Sequence, residues 1–127
     1  MIYGIGTDIV AVSRLESALN RHGQRFAGRI LADEEMVRFS EYAKPAQFLA
    51  KRFAAKEAVA KAFGTGFRDG LSLRHIIVDN DHHGRPTLRF TAMAQTLAER
   101  LGIRASHLSL SDEQDYAVAM VVLETAQ

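Results

Sequence analysis

"KRFAAKEAVAKAFGTG", residues 51–66, is the stretch on which the fold turns. Residues four apart on an α-helix share a face, and this segment with the residues before it carries two adjoining stripes. One is Ala46, Ala50, Ala54, Ala58 and Ala62; the other is Leu49, Phe53, Glu57 and Lys61. An all-alanine stripe lets another backbone come close, so the pattern predicts a packed helix over 45–63. Pro45 suits its first turn and Gly64 its end. Glu57 borders that packed stripe, and a carboxylate away from water needs a partner.

Working outward, MIYGIGTDIV alternates and is isoleucine-rich, which predicts a strand over 2–10. Ser13 and Glu16 have the spacing of a capping box, opening a helix that runs to about His22 and stops at Gly23. A short helical piece over 25–31 follows, then a helix capped by Asp33 and ending near Tyr42. Residues 73–79 and 86–91 read as a hairpin around Asn80–Gly84. Thr91 is placed to cap a helix to Leu101, stopped by Gly102, and two strands close the chain at 106–111 and 116–123. This order predicts one α+β domain over 1–127, a mainly antiparallel sheet packed against the long helix. The last strand, Tyr116–Leu123, is apolar on both faces. Both must be covered, so an oligomer is expected.

Composition narrows the function classes. With 127 residues, 47% hydrophobic and 24% charged, the chain has the make-up of an ordinary globular domain, and disorder is excluded. No apolar run approaches the roughly 20 residues of a membrane helix, and the N-terminus lacks the pattern of a signal peptide. There is no cysteine, hence no disulfide framework and no thiolate metal site. A cytoplasmic protein with no membrane partner is expected. The formal net charge is +1, yet Arg14, Arg21, Arg25 and Arg29 face only Glu16 between residues 10 and 30. A local basic patch on a near-neutral protein suits one acidic partner better than nucleic acid.

Asp8 is a second carboxylate in apolar surroundings, between Ile5-Gly-Thr and Ile9-Val10. The plain reading of the two acids is salt bridging, for instance Glu57 to Lys61. The chemical reading is Mg²⁺, an ion often held by just one or two carboxylates together with phosphate oxygens and water. Lys61, one turn beyond Glu57, would aim a cation at the same phosphates, and Gly64-Thr65-Gly66 would let backbone approach them. Together these residues predict a magnesium–phosphate site. His82-His83 lacks a third ligand and reads as turn. Met93, Met120 and the phenylalanines read as core.

Five ordered stretches carry a family resemblance: "GIGTDIV" at 4–10, "FLAKRF" at 48–53, "FAAKEAVAKAFGTG" at 53–66, "GRP" at 84–86 and "HLSLSDEQDYAVAMVV" at 107–122. Over essentially the whole chain the sequence resembles the bacterial holo-[acyl-carrier-protein] synthases, small 4′-phosphopantetheinyl transferases. The resemblance implies transfer of the phosphopantetheine arm of coenzyme A to a serine of apo-acyl carrier protein, releasing adenosine 3′,5′-bisphosphate. It implies a Mg²⁺-dependent homotrimer with coenzyme A in clefts between subunits. It implies metal binding by Asp8 and Glu57, with Lys61 beside them in catalysis. Coenzyme A would contact Lys61, the Gly64, Thr65 and Gly66 turn, and His107; Lys44 and Arg52 are further candidates for its 3′-phosphate. Arg14 and Arg21, with Arg25 beyond them, would meet the acidic carrier protein. Some members read Ser-His-Asp where this chain has Ser111-Asp112-Glu113, so a role for that His-Asp pair does not carry over. Glu57 is the leading base for the serine proton. Two other readings are a Mg²⁺-dependent hydrolase of the coenzyme A pyrophosphate, and a non-catalytic module whose basic helix binds an acidic partner or RNA.

Overall fold

The computed structural model describes all residues 1–127. Strand β1 (Ile2–Ala11) is followed by α1 (Val12–His22), α2 (Gln24–Ile30), α3 (Asp33–Glu41) and α4 (Pro45–Phe63). A single 3-10 turn, Leu73–His75, leads into β2 (Ile76–Asn80) and β3 (Pro86–Phe90), then α5 (Ala92–Arg100), β4 (Ile103–Asp112) and β5 (Tyr116–Thr125). The antiparallel sheet has the order β1-β5-β4, and β2 and β3 form a separate antiparallel pair. The α+β architecture and the long helix are as the sequence predicts.

The alanine stripe of α4 finds its complement in β1. A Cβ on Gly6 would lie 1.9 Å from the Ala58 carbonyl oxygen, and one on Gly4 would lie 2.1 Å from that of Ala62. Only glycine opposite alanine lets strand and helix backbones approach so closely. Ala54, Ala58 and Ala62 are buried there. In register, Gly6 pairs with Val121 and Asp8 with Ala119, so the inner face of the sheet presents Val10, Ala117, Ala119, Val121 and Leu123 to the core. The other face is open: Ile5 is 63% exposed, Ile9 62% and Met120 50%. Met120 is therefore not core, because its register places it on the side away from α4.

A buried ion cluster ties α4 to the helices before it. Lys56 Nζ donates to Glu35 Oε1 at 2.5 Å and to the Ile30 carbonyl at 2.8 Å. Glu35 also accepts from the amides of Ala32 and Val78, at 2.9 and 3.1 Å. Burial pushes the Lys56 ammonium down to about 8, with Glu35 opposing the shift. Such a pair is costly to break by removing one partner and of small net worth when intact.

Three caps differ from expectation. β1 runs into α1 without a loop, so Ala11 is the N-cap and Ser13 lies inside the helix with no capping bond. The Val12 amide instead donates to the Asp115 carbonyl at 2.8 Å. At α3 the N-cap is Ala32, not Asp33, whose carboxylate takes Arg74 at 2.6 Å. Thr91 precedes α5 but its hydroxyl donates to the His75 carbonyl, not to the helix. The stretch begun at residue 73 opens as the 3-10 turn, with Ser72 Oγ accepting from the Arg74 amide at 3.1 Å.

Candidate magnesium–phosphate site

Asp8 is on the inner face of β1, where the strand passes α4, and its side chain is 16% exposed. Lys61 reaches across from the last turn of α4: its ammonium donates to Asp8 Oδ1 at 3.1 Å and to the Thr7 carbonyl at 2.9 Å. The cation expected to pair with Glu57 along the helix is thus drawn to the strand. Glu57 is half-buried and makes no salt bridge. Burial, and then the charge of Asp8, push its carboxyl above the ordinary glutamate value, with Lys61 and Arg14 opposing. Two carboxylates therefore share a partly desolvated corner, Asp8 paired with Lys61 and Glu57 without a salt-bridge partner.

That arrangement fits a hard divalent cation. The donors are carboxylate oxygens with no imidazole or thiolate among them, the set that suits Mg²⁺. No group of three or more His, Cys, Asp or Glu gathers anywhere in the chain, so a metal held by protein ligands alone has no cage here. An ion that takes most of its ligands from phosphate and water needs none. The helix ends beside this corner at Gly64, φ +85°, and Gly66 follows at φ +64°, both facing open space. Thr65 Oγ1 donates to the Gly66 carbonyl at 3.0 Å. Asp8, Glu57 and Lys61 thus meet where β1 crosses α4, and the glycine turn follows about 10 Å along the helix from Glu57.

A groove of about 640 Å³ lies alongside, lined by Arg14, Leu15, Ala18, Arg21, Phe26 and Phe53 among others. Arg14 and Arg21 are exposed on its rim, and Arg14 is close enough for its charge to act on Glu57. Arg25 is exposed on α2 outside the lining. Sequence reading missed Phe26 and Phe53 as groove walls, although Phe53 sits one turn before Glu57 on the same stripe and could have signalled it.

Three expected contacts stand elsewhere. His107 pairs in register with Val122, on the sheet face opposite Asp8, and its Nε2 lies 2.6 Å from Glu124 Oε1. Lys44 is at the far end of α4, about 20 Å along the helix from Glu57, on the rim of a 1080 Å³ cavity shared with Glu16, Asp112, Glu113 and Asp115. Arg52, a candidate for the 3′-phosphate, is held inside the fold. It is 5% exposed, its guanidinium donates to the Val78 carbonyl at 3.4 Å, lies 3.5 Å from Glu35 and stacks on Phe48 at 4.0 Å. Burial lowers its pKa despite Glu35. Its first role is structural, with one side on a small groove beside Arg38 and Lys51.

Known proteins share this sequence and fold. The family model of the 4′-phosphopantetheinyl transferase superfamily matches residues 4–121. The holo-[acyl-carrier-protein] synthase of Halorhodospira halophila is 59% identical over 125 residues, covering 98% of this chain and 99% of the relative. The crystal structure of the synthase from Neisseria meningitidis superposes with a TM-score of 0.93 at 48% identity, covering 98% of this chain and all of the other. The Bacillus anthracis synthase, solved in complex with coenzyme A (3′,5′-ADP), has a TM-score of 0.83 at 38% identity and covers 99% of each chain. With sequence and fold in agreement, this chain belongs to the holo-[acyl-carrier-protein] synthases of the 4′-phosphopantetheinyl transferase superfamily.

Proposed function

We propose that the protein transfers the 4′-phosphopantetheine group of coenzyme A to a serine hydroxyl of apo-acyl carrier protein, releasing adenosine 3′,5′-bisphosphate. The observation that carries this reading is the meeting of two carboxylates and a lysine where β1 crosses α4, with Arg14 of the neighbouring groove near enough to act on Glu57. The nucleotide-bound relative from Bacillus anthracis supports the choice of coenzyme A.

Asp8 and Glu57 are the residues that would hold Mg²⁺. When bound, the ion supplies charge neutralisation for the pyrophosphate and for the departing phosphate oxygens. Lys61, already fixed on Asp8 and the Thr7 carbonyl, holds a second cation beside that charge. The open space at Gly64 and Gly66 gives the phosphates room, while both glycine amides stay on the Ala60 carbonyl and close the helix. Glu57, which has no salt-bridge partner of its own, is the group that would take the serine proton. Arg14 and Arg21 dock an acidic helix of the carrier protein, with Arg25 adding to the field and Phe26 and Phe53 receiving its apolar side.

The exposed sheet face belongs to a homotrimer in this reading, acting in the cytoplasm. His107 points away from its own Asp8, so it serves coenzyme A in a cleft shared with a second copy. Lys44 and the outer side of Arg52 would reach the nucleotide end in the same way.

Intact-mass spectrometry of apo-acyl carrier protein incubated with the protein and coenzyme A, with and without Mg²⁺, tests the proposal. A magnesium-dependent gain of one phosphopantetheinyl group is expected. Cleaved coenzyme A with the carrier still apo would replace the transferase by a hydrolase. No change with several carriers and folded protein would leave a binding module.

A further inference from the structure

The outward residues of β4 and β5 are Ala105, His107, Ser109 and Ser111, and Tyr116, Val118, Met120, Val122 and Glu124. His107 and Glu124 are the only imidazole and carboxylate among them, and they meet at 2.6 Å although each could have faced water alone. They are diagonal neighbours on adjacent strands, since His107 pairs with Val122 and Glu124 with Ala105. Both are partly exposed, at 59% and 38% of the side chain, so burial of the isolated chain does not force them together. A carboxylate accepts only, so Nε2 is the ring atom that carries the hydrogen in this contact. The ring's other nitrogen, Nδ1, has no partner within the chain.

We infer that Glu124 is a positioning residue for His107. It fixes the tautomer and plane of the imidazole, leaving Nδ1 as the atom presented to coenzyme A. The inference rests on the reading that His107 contacts coenzyme A. A histidine oriented through its second nitrogen by a carboxylate is the arrangement that fixes rings in metal and catalytic sites. Strands hold both Cα positions here, so the pair is set by the sheet rather than by a mobile loop. On an apolar face that another copy would cover, an unpaired Glu124 would be costly, and the contact removes that cost.

The test is a double-mutant cycle on steady-state transfer, with carrier protein saturating and coenzyme A varied. His107→Ala and Glu124→Ala should each raise the KM for coenzyme A about tenfold, the scale of one charge-assisted hydrogen bond, with kcat changed less than threefold by this reasoning. The double variant should be no worse than His107→Ala alone, because Glu124 acts only through the ring. Glu124→Gln, whose amide oxygen still accepts from Nε2, should recover most of the loss. The ¹⁵N shifts of the His107 ring, read without any activity, should report hydrogen on Nε2 in the parent and a redistributed tautomer in Glu124→Ala. If His107→Ala raises KM while Glu124→Ala does not, or if the two effects add, the positioning role is overturned and the histidine contact stands. If His107→Ala leaves KM unchanged, the contact and the inference built on it both fall.

Discussion

Gly6→Ala probes the joint between fold and site. The added methyl would sit 1.9 Å from the Ala58 carbonyl oxygen and 2.9 Å from the Ala62 amide nitrogen, both helix backbone. Neither can rotate away as a side chain could. Restoring ordinary contact requires β1 and α4 to part by at least about 1 Å, and overpacking of this kind costs roughly 1–3 kcal/mol. In a domain of this size that lowers Tm by about 3–12 °C. Asp8 is on β1 two residues on, and Glu57 is on α4 next to Ala58, so the same displacement opens the acidic pair. A misplacement of about 1 Å at a reacting centre costs on the order of 100-fold in rate. Transfer at a temperature where both proteins are folded should therefore fall by about that factor. Gly28→Ala is the control, since Gly28 lies within α2 with nothing within 4 Å of an added Cβ. It should gain roughly 0.5–1 kcal/mol and keep full activity. Circular-dichroism melts at one protein concentration and initial rates by intact mass read both arms. A Gly6→Ala protein that melts and turns over like the parent would refute the close-packed joint.

Glu57→Gln and Asp8→Ala should each abolish transfer, and near-normal turnover by either would dismiss the acidic corner as the site. The melting curve should hold or rise slightly for Glu57→Gln, which only relieves a like charge. It should shift by the equivalent of less than about 1 kcal/mol for Asp8→Ala, which also gives up the partly exposed Lys61 pair. Arg14→Glu and Arg21→Glu should weaken carrier-protein binding by roughly tenfold each at low salt and much less at 0.5 M salt, measured by titration calorimetry; unchanged affinity in both would remove the groove from docking. The buried Lys56 gives a pH signature. Its folded value of about 8 lies below the 10.5 of the free side chain, so between those values the unfolded chain binds more protons and stability rises with pH, by up to about 3 kcal/mol. Urea unfolding from pH 7.5 to 10.5 should show that rise in the parent relative to Glu35→Gln/Lys56→Met, and a difference that is flat or falls would contradict it.

What was legible in the sequence depended on whether one segment held the whole signal. The long helix was readable end to end because Pro45, the alanine stripe and Gly64 lie within it. The acidic pair was readable because each carboxylate broke an apolar pattern of its own. The helix caps failed where a residue's partner came from a distant segment: Ser13 loses its capping role because the Asp115 carbonyl, far along the chain, already serves the first amide. Glu35 and Lys56 look like surface charges on separate amphipathic helices, and only their meeting at 2.5 Å in the core makes them structural. Phe26 and Phe53 looked like core for the same reason, since a groove wall is defined by what fails to cover it.

His107 shows the deepest gap between motif and geometry. Alternation along β4 says that His107 and Leu108 face opposite sides, but not which side carries α4. Register settles it: Leu108 pairs with Val121 on the buried face and His107 with Val122 on the open one. Asp8 pairs with Ala119 on the buried face, so the two residues are separated by the thickness of the sheet. No motion of side chains within one chain unites them. The open face that carries His107 also carries Ile5, Ile9 and Met120, each at least half exposed, and burying such side chains is worth roughly 1.5–3 kcal/mol apiece. Their total is of the same order as the cost of bringing two proteins together, about 4–15 kcal/mol, so this face favours assembly without securing it alone. We propose that a second copy covers this face, which would remove the apolar exposure and put His107 in a cleft between chains. On that reading the exposed sheet and the divided site have a single cause.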